Sequence, residues 1–149
     1  MNMERKKIDL HMHTTASDGS STPEELVKTC AELGLETIAV TDHDNTSAVD
    51  AAKEAALQYS LDVVPGIEIS TYRGEAEYHI LGYFIDTEND SLLGLTEAII
   101  QSRIDRTHEM VDKLTEMGYP IEFSDVKKFA TGVSIGRPHV ARALVERGY

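Results

Sequence analysis

Histidines and carboxylates that follow or interrupt apolar segments are the side chains in this sequence best suited to chemistry. Six of them fall within the first 80 residues: His11, His13, Asp18, His43, Glu68 and His79. They occur in the stretches DLHMHTTASDG, TDHD, GIEIS and HILGYF. A set of imidazole and carboxylate ligands suits Mn²⁺, Zn²⁺ or Fe²⁺. The lack of cysteine among them argues against a structural zinc knuckle.

Each stretch taken alone also has an ordinary structural explanation. His11 and His13 would then be two polar residues near a strand end, and Asp18 with the next glycine would form a turn. Glu68 is harder to explain in this way, because a carboxylate in an apolar strand is costly unless it is paired or bound to a metal. His79 raises the same problem less strongly. Its ordinary explanation is a histidine in the core whose hydrogen bonds are satisfied. Because the four stretches reinforce one another, we interpret them as a single metal site.

The elements that must position these residues alternate between strands and helices. KIDLHM and ETIAVTD predict strands, and STPEELVKTCAELGL between them predicts a helix capped by Thr22, with Glu25 completing a capping box and Gly34 at its end. SAVDAAKEAALQY predicts a second helix, and LDVVPGIEIST predicts a short strand and then another. A tight connection at residues 73–75 leads to a further strand, AEYHILGYFI. This order favours right-handed parallel βαβ units, whose C-terminal strand ends form one face where active sites lie.

Residues near the six candidates have supporting or packing roles in this interpretation. Asp42 and Asp44 are interpreted as turn residues or as residues that orient a ligand. Cys30 is expected to be a small core residue on the first helix. His108 is expected to be a surface or packing residue.

The second part of the sequence has a helical pattern. Apolar residues recur at steps of three and four from Leu92 to Met117, SDVKKFA predicts a shorter helix, and RPHVARALVERG predicts a last one. We therefore expect an α/β unit over residues 1–86 and an all-helical unit over residues 87–149.

Four residues of the helical unit are candidates for holding a substrate: Arg103, Arg106, Arg137 and His139. Arg103 and Arg106 are three residues apart and share a helix face, and Arg137 opens another helix beside His139. Guanidinium groups suit bidentate contacts to phosphate. The alternative, that these arginines belong to a solvated surface, stays open at this point.

Composition limits the classes of partner. The 149-residue chain carries a formal net charge of −12, which argues against binding to membranes or stable binding to duplex nucleic acid. A phosphate substrate is compatible with this charge, because bound divalent cations would reverse the sign of the local field. The single Cys30 fits a reducing compartment. Because the sequence has no apolar signal segment and no run of membrane-spanning length, we expect a cytoplasmic protein.

The four metal-binding stretches, in this order and spacing, resemble the PHP (polymerase and histidinol phosphatase) domain over residues 7–86. The later helical stretch resembles an insertion found in one branch of that family. The resemblance implies an α/β fold, the first part of a distorted (βα)7 TIM-like barrel followed by an all-helical insertion. It also implies a centre of up to three divalent cations, commonly Mn²⁺. The six candidates match the family's ligands, with Glu68 as a bridging ligand.

Enzymes of that branch dephosphorylate 3′,5′-nucleoside bisphosphates or trim short RNA from the 5′ end. The resemblance therefore implies a metal-dependent phosphoesterase that acts on a small phosphorylated nucleotide or a short oligonucleotide. A metal-activated water held by His11, His13, Asp18 and Glu68 would attack phosphorus without a covalent enzyme intermediate. Metals and arginines would neutralise the charge that develops on the phosphate oxygens.

The family's remaining ligands, a histidine and a later Asp-X-His, would lie beyond Tyr149. We therefore expect the first half of a barrel, which alone is a poor catalyst and self-associates through its open edge. One alternative is a non-catalytic metal-binding protein. Another is a different PHP enzyme, such as a histidinol-phosphate phosphatase or a polymerase-associated exonuclease, and the helical insertion argues against both of these.

Overall fold

Strands and helices alternate in the first part of the chain, and helices alone follow the fourth strand. The computed structural model describes residues 7–74, 76–130 and 132–149. In chain order its elements are β1 (Ile8–Met12), α1 (Pro23–Glu32), β2 (Thr37–Val40), α2 (Val49–Ala56), β3 (Asp62–Arg73), β4 (Ala76–Tyr83), α3 (Asp90–Glu116), α4 (Phe123–Lys127) and α5 (Arg137–Glu146). Among the described residues every helix is either too short or too polar to cross a lipid bilayer.

Helix α1 begins and ends as the sequence predicts. The Thr22 hydroxyl accepts the Glu25 N–H at 3.2 Å, and the Glu25 carboxylate accepts the Thr22 N–H at 2.9 Å, which completes the capping box. Gly34 follows the helix with a φ of +73°, a conformation that favours glycine. Cys30 lies in the core with Val27, so its predicted packing role is confirmed.

The four strands form one curled sheet in the order β1-β2-β3-β4. Strands β1, β2 and β3 run parallel, which confirms the predicted βαβ units, and β4 returns antiparallel to β3. The Tyr83 hydroxyl on β4 donates to the Leu10 carbonyl oxygen on β1 at 2.9 Å. Because β1 and β4 stand at opposite ends of the strand order, this contact requires a strong curl.

Strand β3 is continuous, so the predicted break within LDVVPGIEIST is wrong. Pro65 pairs with Val40 at the end of the parallel ladder with β2, and Gly66 begins the antiparallel ladder with β4. The proline and glycine therefore mark a change of neighbouring strand. A Cβ on Gly66 would lie 2.8 Å from the Thr41 side chain, so glycine permits this close approach.

Helices α3, α4 and α5 confirm the helical pattern of the second part. They pack around their own apolar cluster, in which Val126 and Ala143 are fully buried. His108 lies on the surface of α3 and stacks on Phe123 with ring centroids 4.0 Å apart, as a packing residue would. The division of the chain into two units at residue 86 stays a prediction.

Candidate metal centre

Glu68 lies at the centre of a group of four histidines. Its side chain is only 5% exposed. Its oxygens lie 2.8 Å from His11 Nε2, 3.0 Å from His13 Nε2, 3.6 Å from His43 Nδ1 and 2.9 Å from His79 Nδ1. A buried carboxylate with imidazole nitrogens on several sides is placed to bridge more than one cation.

All six predicted ligands come together, in three overlapping sets. The sets are His11, His13 and Glu68; His13, Asp18 and His43; and His43, Glu68 and His79. In each set, one ligand atom from every residue lies within 4.8 Å of the others. Because His13, His43 and Glu68 each belong to two sets, cations in neighbouring sets would share ligands.

The four histidines lie at two kinds of position in the sheet. His11, His13 and His43 lie at or just after the C-terminal ends of β1 and β2, as expected for a parallel sheet. His79 lies on the antiparallel strand β4, where it pairs with Ser70 of β3. It reaches Glu68 from the neighbouring strand.

The loop after β1 is held by a buried aspartate in the turn that follows β2. Asp42, which is 1% exposed, accepts hydrogen bonds from the Thr14 N–H at 2.7 Å, the Thr14 hydroxyl at 2.7 Å and the Ser17 hydroxyl at 2.5 Å. A Cβ on Gly19 would lie 2.5 Å from the His13 carbonyl oxygen, so the loop needs glycine there. Asp42 thus supports a ligand loop, one of the two roles that the sequence left open.

Asp44 fixes the turn that carries His43. It adopts a φ of +53°, a left-handed conformation that aspartate tolerates better than most residues. Its N–H donates to the Glu68 carbonyl oxygen at 2.9 Å, and its Oδ1 accepts the Ser70 N–H at 2.7 Å. Its Oδ2 accepts Arg103 Nε at 2.7 Å, which ties helix α3 to the site.

Burial and hydrogen bonds set the protonation of the central groups. Burial lowers the pKa of His43, which favours the neutral imidazole that binds metals. Its Nδ1 is buried and has no hydrogen-bond partner among the described residues, which leaves this nitrogen open to a cation. Burial alone would raise the pKa of Glu68, but the hydrogen bond to His11 and the fields of His43 and His13 outweigh it and lower the pKa.

A cavity of about 250 Å³ opens beside the histidines. Its wall includes three of the candidate ligands, Asp18, His43 and His79, and all four predicted substrate residues, Arg103, Arg106, Arg137 and His139. The structure therefore brings all four predicted substrate residues and three of the six candidate ligands to one cavity. That the second group contacts a substrate stays a prediction.

A glutamate that the sequence interpretation missed lies between two of these arginines. Glu77 accepts a hydrogen bond from Arg137 Nη2 at 2.9 Å and lies 3.7 Å from Arg106 Nη1, and the Tyr72 hydroxyl donates to it at 2.9 Å. Burial alone would raise the pKa of Glu77, but these hydrogen bonds lower the pKa to about 2. Glu77 precedes His79 by two residues in a strand, so strand alternation was a signal that places both on one face.

Arg103 and His139 are more deeply buried than Arg106 and Arg137, the other two predicted substrate residues. Arg103 is 9% exposed, and besides Asp44 its guanidinium contacts the Ser70 hydroxyl at 2.6 Å. Its Nη1 lies 3.3 Å from where a Cβ on Gly136 would stand. His139 is 2% exposed, its Nδ1 accepts the Gly136 N–H at 3.1 Å, and burial lowers its pKa. Both residues therefore shape the cavity wall at the start of α5.

The fold and this arrangement of ligands define a known class of domain. The PHP domain family matches residues 9–119, and the chain belongs to that family. It is 38% identical over 142 residues to the 5′-3′ exoribonuclease Rnm of Salmonella typhimurium, covering 94% of this chain and 48% of that protein. It is 32% identical over 142 residues to the 3′,5′-nucleoside bisphosphate phosphatase of Chromobacterium violaceum, covering 95% of this chain and 50% of that protein.

A solved structure has the same fold. A protein of Bifidobacterium adolescentis, assigned as a metal-dependent phosphoesterase, superimposes with a TM-score of 0.88 at 35% identity, covering 96% of this chain and 51% of that one. The chain thus spans about half the length of the curated relatives it matches.

Proposed function

We propose that the protein is a metal-dependent phosphoesterase that hydrolyses phosphoesters of small nucleotides or short oligonucleotides. The observation that carries the proposal is the meeting of six imidazole and carboxylate ligands beside a cavity that also holds three arginines. Ligands alone would suit many metal proteins. Arginines within the same cavity add the positive charge that a phosphorylated substrate requires.

The residues present fit divalent transition metals. The neutral, unpartnered Nδ1 of His43 and the carboxylate of Glu68 are donor atoms of the type that Mn²⁺, Zn²⁺ and Fe²⁺ accept. We propose Mn²⁺ as the resident metal, with up to three cations in a complete barrel. When bound, such cations polarise a phosphoryl oxygen and lower the pKa of a water molecule. His11, His13, Asp18 and Glu68 would hold them and orient that water.

The cavity arginines would bind the substrate. Arg106 is partly exposed and Arg137 is largely exposed, so both can turn towards a phosphate beyond the one being cleaved. Arg103 is fixed by Asp44 and would present its remaining nitrogen as a rigid donor. His139 would support this side of the cavity through its hydrogen bond to Gly136. No serine or cysteine nucleophile is required in this scheme.

The substrate class takes its support from the relatives as well as from the cavity. One relative is a 5′-3′ exoribonuclease and another is a 3′,5′-nucleoside bisphosphate phosphatase. The second name describes a substrate with two phosphates, and RNA, the substrate in the first name, carries a phosphate at every linkage. Two arginines that are at least partly exposed, Arg106 and Arg137, lie beside the metal centre and suit such a substrate. We propose no binding to duplex nucleic acid or to membranes, because the chain is strongly acidic.

We further propose that residues 87–149 form a helical insertion in a distorted (βα)7 barrel whose first strands are β1 to β4. The separate apolar cluster of α3, α4 and α5 supports this division. A cytoplasmic location is proposed on the single buried cysteine.

Substrate discrimination by one arginine tests the proposed function. In an enzyme with the complete barrel and Mn²⁺, Arg137→Gln should raise KM for adenosine 3′,5′-bisphosphate about tenfold, because a charge-assisted hydrogen bond contributes about 1.5 kcal/mol at the lower end of its range. KM for the corresponding 5′-monophosphate should change little. Arg142→Gln, an exposed arginine on the same helix, is the matched control. Equal loss with both substrates would contradict the second-phosphate role, and no metal-dependent hydrolysis of either by the complete barrel would contradict the proposed activity.

A further inference from the structure

Two buried aspartates flank His43, and their carboxylates have different kinds of partner. Asp44 forms an ion pair with Arg103 at 2.7 Å. Asp42 has no lysine or arginine within 4 Å among the residues that the structure describes. Burying a carboxylate without a cation is costly, so the groups that do contact Asp42 carry its stabilisation.

Among the described residues, every hydrogen bond that the Asp42 carboxylate accepts comes from one loop, while its backbone carbonyl oxygen accepts the Glu68 N–H at 3.2 Å. Thr14 donates both its N–H and its hydroxyl, and Ser17 donates its hydroxyl, at 2.5–2.7 Å. Hydrogen bonds to an ionised acceptor are roughly twice as strong as neutral ones. The residues on either side of this segment are His13 and Asp18, two of the candidate ligands.

The loop must hold a defined shape for its ligands to meet those of β2 and β3. Asp18 Oδ1 lies 3.6 Å from His13 Nδ1, and Asp18 Oδ2 lies 3.7 Å from His43 Nε2. Asp42 precedes His43 directly, so its hydrogen bonds join the loop after β1 to the turn after β2. A shift of this loop would separate the ligand set formed by His13, Asp18 and His43.

We propose that Asp42 is a positioning residue for metal binding, which holds loop 13–18 so that His13 and Asp18 meet His43. The proposal rests on the metal centre proposed above. Asp42 would act through the geometry of the loop, by way of Thr14 and Ser17, and not as a ligand.

Two variants separate geometry from charge. Asp42→Asn keeps the shape of the side chain but offers one acceptor oxygen to three donors. The double variant Thr14→Val, Ser17→Ala keeps the carboxylate and removes two of its donors. Supporting partners of this kind typically change metal affinity about 10–100-fold, and we expect a loss in that range from both variants. Asp50→Asn, an exposed aspartate on α2, is the matched control and should bind as wild type does.

The experiment measures Mn²⁺ affinity of the full chain by titration calorimetry, and hydrogen exchange of residues 13–18 in chelator. The proposal predicts weaker Mn²⁺ binding and faster exchange of this loop in both variants, with unchanged circular dichroism. Wild-type Mn²⁺ affinity in the Asp42→Asn chain would overturn the proposal. Wild-type Mn²⁺ affinity in the double variant would also overturn it, because it would show that only the charge of Asp42 matters. If Asp42→Asn does not fold, the double variant decides.

The measurement in chelator distinguishes a failure of the positioning role of Asp42 from a failure of the proposed function. A wild-type chain that binds no Mn²⁺ would contradict the proposed function. Exchange of residues 13–18 in chelator would still show whether Asp42 orders the loop, and unchanged exchange in both variants would overturn the positioning role.

Discussion

Replacing the central carboxylate tests whether the four histidines are organised around it. Glu68→Gln keeps the size of the side chain and removes its charge. Three imidazole nitrogens lie within 3.0 Å of the Glu68 oxygens, at 2.8, 2.9 and 3.0 Å, so the variant changes three short contacts at once.

The expected effect differs between the metal-free and the metal-bound chain. In the metal-free chain, the variant no longer pays the desolvation cost of a buried charge, and this offsets part of the free energy lost with the hydrogen bonds. Because the pKa of Glu68 is lowered, the ionised form is the favoured one, and we expect a net loss of about 1–2 kcal/mol. With metal, Glu68 belongs to two of the three ligand sets. Since supporting partners alone change metal affinity about 10–100-fold, loss of a shared ligand should exceed about 100-fold.

Urea unfolding in chelator and Mn²⁺ titration near neutral pH measure the two effects. Glu54→Gln, an exposed glutamate on α2, is the matched control and should leave both unchanged. Retention of wild-type Mn²⁺ affinity by a folded Glu68→Gln chain would refute the assignment of Glu68 as a shared ligand. Increased stability of the metal-free variant would refute the argument from its pKa.

Three further predictions concern pH, the buried ion pair and self-association. In chelator, the free energy of unfolding should fall as pH drops below the ordinary histidine value of 6.5, because the unfolded chain then takes up a proton that buried His43 resists; a flat profile would contradict this. Arg103→Ala should destabilise the chain by about 3–5 kcal/mol in urea unfolding, since it leaves buried Asp44 without its cation, and a loss below about 1 kcal/mol would show that the pair is dispensable. The chain alone should self-associate in size-exclusion chromatography with light scattering, because apolar side chains such as Ile8 and Ile80 on the outer strands are more than half exposed; a stable monomer would contradict this.

Much of the site was predictable because its ligands follow simple rules of sheet geometry. His11 and His13 are two residues apart at the end of one strand and therefore share a face, and His43 follows the next strand, so the parallel order of the strands implies that they meet. Glu68 was conspicuous as a charge between isoleucines. The capping box of α1 was predictable for a similar reason, because its determinants are local in sequence.

Contacts that depend on a change of strand partner could not be predicted in the same way. Pro65 and Gly66 indicate a break when read locally, but in the structure they mark the point where β3 passes from β2 to β4. The three hydrogen bonds to Asp42 join two loops that are 25–28 residues apart, and sequence alone does not fix their register. Glu77 was overlooked because its arginine partners lie on distant helices.

Metal content of the purified chain tests the central claim most directly. Protein prepared without chelator, and then loaded with Mn²⁺ and desalted, should retain at least one metal ion per chain by elemental analysis. The double variant His11→Ala, His13→Ala should retain far less, because these residues contribute to two of the three ligand sets. His108→Ala, a histidine of the helical part outside these sets, is the control and should retain the wild-type amount. Equal metal content in the wild type and the double variant would contradict the account.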